Sequence, residues 1–323
     1  MRSLSHPWGG LAAVFAAAVA LCAGCAGPTT DTAVSAYVDA AIAEMRDGIH
    51  ADSEEFRRAV DDLGPTLRAA PTIEDTYAGL QQLAVAAGGE HSSFAPPVDV
   101  AAYEAADQPG AAFAVPTAST SAGVTRVTLP SFNGQSAEAM SAYVDAGLTA
   151  MRDAVPTTTC GWIIDLRTNG GGNAWPMLAV AAPLLDDGDV VGLQRDGEIA
   201  WARVEDGGVV STPGGPDTTT PGGFTIDAPV ALMTSSMTAS AAEIVAIAFQ
   251  GQADAVRVGK PTAGLTTGNE VRELSDGSWL ILTTTYDVDR AGTLQNGPLI
   301  PDVEVAPGPD LEAARTAVTS RCG

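Results

Sequence analysis

Three short stretches of the chain carry side chains suited to chemistry. The first is Asp165-Leu166-Arg167-Thr168-Asn169-Gly170-Gly171-Gly172-Asn173. A short apolar strand, Cys160 to Leu166, runs into it, and a helix from about Pro176 to Leu185 follows. Glycine amides at such a turn can face a cleft and hold an anion. No Gly-Lys-Ser/Thr follows, and the polar Asp-Leu-Arg before the glycines departs from a dinucleotide fingerprint. The second stretch is Thr238-Ala239-Ser240-Ala241-Ala242-Glu243-Ile244, where a hydroxyl sits at the passage from a buried strand, Pro229 to Met233, into a helix. A serine there feels the positive end of the helix, and the next amide can donate to an oxyanion. Serine also caps helices with no further role. The Gly-x-Ser-x-Gly of α/β-hydrolases is absent. The third is His91, on a loop opened by Gly88-Gly89. A serine becomes a nucleophile at neutral pH when a base takes its proton, and imidazole suits that task. His50 falls in a polar helical stretch and His6 in the leader, which leaves His91 as the imidazole for the role.

The surrounding pattern supplies elements to hold these groups. Val34, Val38, Ile42, Met45 and Ile49 recur at helical spacing. Thr72-x-x-Asp75 resembles a capping box before Tyr77, Leu80 and Leu83, and Gly88-Gly89 ends that helix. Residues 95–122, rich in Ala, Pro, Ser and Thr, read as a surface flap. From Val124 onward strands alternate with helices: Val124 to Leu129, a helix over 135–154, the two strand–turn–helix units above, Val256 to Val258, Trp279 to Thr285 and a helix from about Leu311. That alternation predicts an α/β fold of βαβ units. Gly207 to Gly223 reads as an exposed insertion.

Composition narrows the function. Of 323 residues, 39 are acidic and 16 basic, and Lys260 is the sole lysine. A net charge of −23 repels phosphate backbones and anionic headgroups, so nucleic acid is not an expected partner. Hydrophobic residues make up 46%, enough for a full core. Arg2 and the apolar run from Leu11 to Ala23 form a leader too short to span a bilayer. It ends at Leu21-Cys22-Ala23-Gly24-Cys25, similar to a bacterial lipoprotein cleavage site. The organisation expected is a signal peptide over 1–24, a linker over 25–32 after a lipidated Cys25, a helical domain over 33–95, a cap over 96–122 and a catalytic core over 123–323. Membrane contact is expected only through the lipid on Cys25, and the location is the cell envelope. Export leaves Cys160 and Cys322 where a bond between them would tie the C-terminus to the body. Two cysteines with His50 and His91 make no structural zinc site, so neither metal nor cofactor is expected.

Taken together, these residues resemble the tail-specific, or C-terminal-processing, serine peptidase family. Its Asp-Leu-Arg-x-Asn-x-Gly-Gly turn is matched by Asp165 to Gly172, and its Ser/Thr-Ala-Ser-Ala-x-Glu helix start by Thr238 to Glu243. Val258-Gly259-x-Pro261-Thr262 and Pro301-Asp302-Val303-Glu304-Val305 are similar to further landmarks, so the resemblance spans roughly 124–305. It implies a crotonase/ClpP-like core with Ser240 as nucleophile and the amides of Gly171 and Ala241 as the oxyanion hole. Many members carry a lysine base where this chain has Leu265, and Lys260 stands earlier, before a proline. The chain instead resembles the histidine-base branch, which includes tricorn-type and nisin-resistance proteins, with Gly89-Glu90-His91-Ser92 matching the histidine segment. Gln295 holds the place of a tricorn-type glutamate, so the third catalytic member is unassigned, and Asn173 and Glu243 are the candidates for positioning. The stretch between His91 and Val124 is too short for the family's peptide-binding PDZ module. The function implied is an exported serine endopeptidase cutting peptides near their C-terminal tails, with cationic peptides favoured by an acidic channel. The alternative is a catalytically inactive peptide-binding lipoprotein on the same fold.

Overall fold

The computed structural model describes residues 30–108, 111–213, 223–306, 308 and 310–322. The leader, Cys25, most of the linker and the middle of the Gly207–Gly223 insertion lie outside the described residues.

The chain opens with three helices, α1 (Thr30–Met45), α2 (Glu54–Arg68) and α3 (Tyr77–Gly88). Val38, Ile42 and Met45 of α1 are buried at their helical spacing against Leu80 and Leu83 of α3. Ser53 caps α2 by accepting from Phe56 N at 3.0 Å. Thr72 and Asp75 bond reciprocally as their spacing predicts, but they open a 3₁₀ turn, Glu74–Thr76, which then runs into α3. Gly89 stops α3 with a φ of +83°, a conformation that costs glycine little.

There follow β1 (Ser93–Ala95), α4 (Pro97–Ala106), β2 (Thr117–Ser121), β3 (Val124–Thr128), α5 (Ala137–Ala154), β4 (Gly161–Asp165), α6 (Ala174–Ala181), β5 (Gly188–Arg195), β6 (Glu198–Glu205) and β7 (Gly208–Ser211). The chain continues through β8 (Val230–Thr234), α7 (Ala241–Ala248), β9 (Ala255–Gly259), β10 (Thr267–Glu273), β11 (Trp279–Asp289), β12 (Val303–Glu304) and α8 (Asp310–Thr319). They build two sheets. One, ordered β12-β9-β8-β4-β3-β2, is parallel except for β2. The other is antiparallel, ordered β1-β11-β5-β6-β7 with β10 also on β11. Every residue of β4 and β8 is buried, as expected of parallel strands covered on both faces. Helices α5, α6 and α7 cover one face, and α8 covers the other. The three N-terminal helices pack on Leu280 and Leu282 of β11, so the antiparallel sheet joins the helical layer to the core.

One expectation needs correcting. The 96–122 segment is not a flap throughout: Thr117–Ser121 pairs with β3 and forms an edge of the parallel sheet. Its polar side chains hid a strand that is stabilised by backbone pairing, since an edge strand need bury little. A disulfide joins Cys160, just before β4, to Cys322 after α8.

Candidate active site

The two motif turns leave the C-terminal ends of β4 and β8, which lie side by side in the parallel sheet. Ligand sites in open α/β sheets gather at such ends. Hydrogen bonds lock the turns together. Thr238 Oγ1 donates to Leu166 O at 2.9 Å, Ser235 Oγ to Arg167 O at 2.5 Å, and Ala239 N to Asn169 O at 3.1 Å. Arg167 folds back on Asp165, with 2.9 and 2.7 Å contacts, and reaches Asp310 at 3.3 Å. The Asp-Leu-Arg of the motif thereby ties the glycine turn to α8.

Ser240 sits at the entry to α7 with φ 53° and ψ −118°. Non-glycine residues seldom adopt that backbone, and such strain concentrates at functional sites. Like the serine of a strand-to-helix elbow, it occupies a strained turn between a strand and a helix, without that motif's flanking glycines. What holds it is Glu243. This side chain is fully buried, and its two oxygens accept four hydrogen bonds. Oε2 takes Ser240 N and Leu265 N, each at 2.8 Å; Oε1 takes Gly264 N at 2.9 Å and the Thr262 hydroxyl. Burial pushes the Glu243 carboxyl above its ordinary range, and the four donors pull the other way. Asp287, also fully buried, is pushed well up by burial and by the Glu243 charge.

The amide after the serine is available. Ala241 is 1% exposed, and its N–H donates to no described residue, as befits a first-turn helix amide. Gly171 faces the same spot, but not as expected. Its N–H donates to Asn169 Oδ1 at 2.9 Å, so in this structure it is engaged rather than presented as an oxyanion donor. Its contribution is space. A Cβ at Gly171 would lie 2.9 Å from Ser240 Cβ and from Ala239 O, at a φ of +103°. Replacing Gly171 with alanine is therefore expected to displace the serine and lower its reactivity by about 10²-fold, read as the rate of covalent labelling.

Asn173 is corrected too. Its Oδ1 caps α6 through Trp175 N at 3.2 Å and its Nδ2 donates to Gly134 O at 3.0 Å, so it shapes α6 and the 132–135 loop rather than the serine turn. The buried asparagine at the site is Asn169, which sequence reasoning passed over. It accepts from Gly171 and donates to Leu129 O at 3.0 Å.

His91 arrives on the loop between α3 and β1. Its Nδ1 lies 2.7 Å from Thr267 Oγ1, and its carbonyl accepts from Asn269 Nδ2 at 3.1 Å. The ring is half-buried, and burial alone pulls its pKa down to about 4. No hydrogen bond joins His91 to Ser240 among the described residues. The segment 262–267 connects them, clamped by Glu243 at one end and touching the imidazole at the other. Gln295, in the place of a tricorn-type glutamate, turns its amide onto Thr293 O at 2.9 Å and not onto the histidine. Among the described residues no group of three or more His, Cys, Asp or Glu could hold a metal ion, and no helix is long and apolar enough to cross a membrane.

Comparison with known proteins bears on the family and the fold. The profile of peptidase family S41 matches residues 123–305. The nisin-resistance protein of Lactococcus lactis subsp. lactis is 27% identical over 272 residues, covering 83% of this chain and 82% of that protein. Among solved structures, a lipoprotein from Streptococcus agalactiae superposes with a TM-score of 0.74 at 22% identity, over 91% of this chain and 98% of that one. A photosystem II D1 C-terminal processing protease superposes with a TM-score of 0.60 at 16% identity, again over 91% and 98%. At those identities the two structures speak for the fold.

Proposed function

This chain belongs to peptidase family S41, and from that premise we propose that it is an exported serine endopeptidase cutting peptides near their C-terminal tails, with Ser240 as nucleophile and His91 as base. The observation that carries the reading is the strained Ser240 beside the orphan amide of Ala241. Ser240 Oγ attacks the scissile carbonyl as its proton passes to Nε2 of His91. The oxyanion that forms is met by the Ala241 N–H, already in place and shielded from water; removing one such donor typically costs ~10²–10³ in turnover. Collapse breaks the C–N bond, and His91 returns the proton to the leaving amine. Water then repeats the sequence and frees the serine. Gly171 gives the reacting centre room, and Glu243 holds the serine turn in register.

An envelope location, with a lipid on Cys25 as the anchor, is supported by the likeness to the Lactococcus nisin-resistance protein and the streptococcal lipoprotein. The net charge of −23 favours cationic peptides.

The test is intact-mass labelling with a fluorophosphonate, which requires no knowledge of the substrate. One adduct on the protein and none on Ser240→Ala is the expected result. A peptide screen should then favour cationic sequences, with an advantage that shrinks as salt is added. No adduct, whether peptides are present or absent, would instead mark a catalytically inactive peptide-binding protein.

A further inference from the structure

Among the described residues His91 has no carboxylate hydrogen-bond partner of the kind that imidazole bases commonly have. Burial pulls its pKa down. The carboxylate of Glu243, which holds the 262–265 segment, has both oxygens committed to four donors, and the Gln295 amide donates to Thr293 O. Among the described residues the ring's one side-chain hydrogen-bond partner is Thr267 Oγ1, 2.7 Å from Nδ1.

That hydroxyl is well anchored. Thr267 begins β10 in register with Tyr286 of β11, and the preceding residue is fixed because Thr266 O accepts from Asp287 N at 3.2 Å. Asn269, two residues on, holds the His91 carbonyl and accepts from Thr283 Oγ1 at 2.8 Å. Ser92, beside the histidine, is buried and exchanges hydrogen bonds with Thr283 through Oγ–Oγ1 and Oγ–N contacts of 3.0 Å. Ring and hydroxyl are thus held by one hairpin.

We propose that Thr267 is the third member of the site, a positioning residue that accepts the Nδ1 proton of His91 and so leaves Nε2 bare to act as the base. The inference rests on His91 being the general base. A hydroxyl that accepts here holds the same tautomer that a carboxylate would, but it adds no negative charge to favour the imidazolium. The ring is oriented and stays neutral far into the acid range. The arrangement therefore uses geometry for the base and relies on the oxyanion donor for electrostatics.

Two readouts test this, one independent of turnover. In ¹⁵N-histidine NMR spectra of the full chain, with the His91 signals identified by their loss in His91→Ala, the wild type should show the Nδ1–H tautomer. Its midpoint should lie near pH 4. Thr267→Val should lose the tautomer bias, Thr267→Ser should keep it, and Thr267→Asp should raise the midpoint by more than one pH unit as a carboxylate meets the ring. Labelling of Ser240 should fall by about 10²-fold in Thr267→Val, less than the ~10⁴ lost when a triad member's tautomer control by a carboxylate is removed, and should recover in Thr267→Ser. A wild-type Nε2–H tautomer overturns the proposal. So does a Thr267→Val protein whose His91 signals match the wild type. If His91→Ala labels as fast as wild type, the base assignment itself fails, whatever Thr267 does to the ring.

Discussion

Removing the imidazole in His91→Ala should reduce labelling of Ser240 and any peptide turnover by about 10⁴-fold while the fold survives. A half-buried ring with one side-chain hydrogen bond leaves little behind when it is truncated, so a large kinetic effect with a small structural one is the signature of a base. Stability should respond to pH in a defined direction. The folded pKa of about 4 lies below the unfolded value of 6.5, so the folded protein resists a proton that the unfolded chain accepts. Above pH 6.5 the ring is neutral in both states and contributes no pH dependence. Between about 6.5 and 4 the wild type loses stability as the unfolded state is protonated, and the alanine variant does not. Urea unfolding of both proteins across that window should show the gap shifting toward the variant as pH falls. Labelling of His91→Ala within tenfold of wild type would mean that the serine is not activated by this residue.

The second large effect belongs to Glu243. Its two oxygens accept four donors from the serine turn and the 262–265 segment, an arrangement that suits the ionised form, which has no proton of its own to place. In Glu243→Gln the amide oxygen can serve one pair of donors, but the NH₂ group meets the other pair head-on. Leaving a buried donor unpaired typically costs about 1–3 kcal/mol, and a loss of that order is expected in the unfolding free energy. Labelling should fall with it, because the strained φ of Ser240 persists only while its surroundings enforce it. A glutamine variant with wild-type unfolding and labelling would show that the four contacts are incidental.

Much of this was legible in the residues. Gly-Trp-Ile-Ile-Asp and Val-Ala-Leu-Met-Thr are uninterrupted apolar runs ended by turn motifs, and the parallel sheet places them next to one another. Spacing alone put Glu243 one turn after Ser240. Other parts left no local trace. β10 reads Thr-Gly-Asn-Glu-Val-Arg-Glu, and its one large apolar side chain, Val271, is exposed, so no alternation marked it as a strand. With the strand hidden, the partnership of Thr267 with His91 was hidden as well, a contact between residues 176 positions apart. The two asparagines of the glycine turn look alike in sequence. Only the pairing of backbones shows that Asn169 faces the serine turn and Asn173 caps a helix. Gly171 lies beside Ser240 while its amide donates to Asn169, and which way an amide points depends on neighbouring side chains that the local sequence does not reveal.

The segment matched to the peptidase family begins at residue 123, and His91 precedes it. On the proposed assignment nucleophile and base therefore come from different layers, the histidine loop being held to the core by the hairpin of β10 and β11. On that assignment a partly unfolded chain would carry both groups with no imidazole near its serine. Reactivity of the serine is then tied to the docking of one hairpin: where β10 and β11 have not closed on the histidine loop, the proposed site is incomplete.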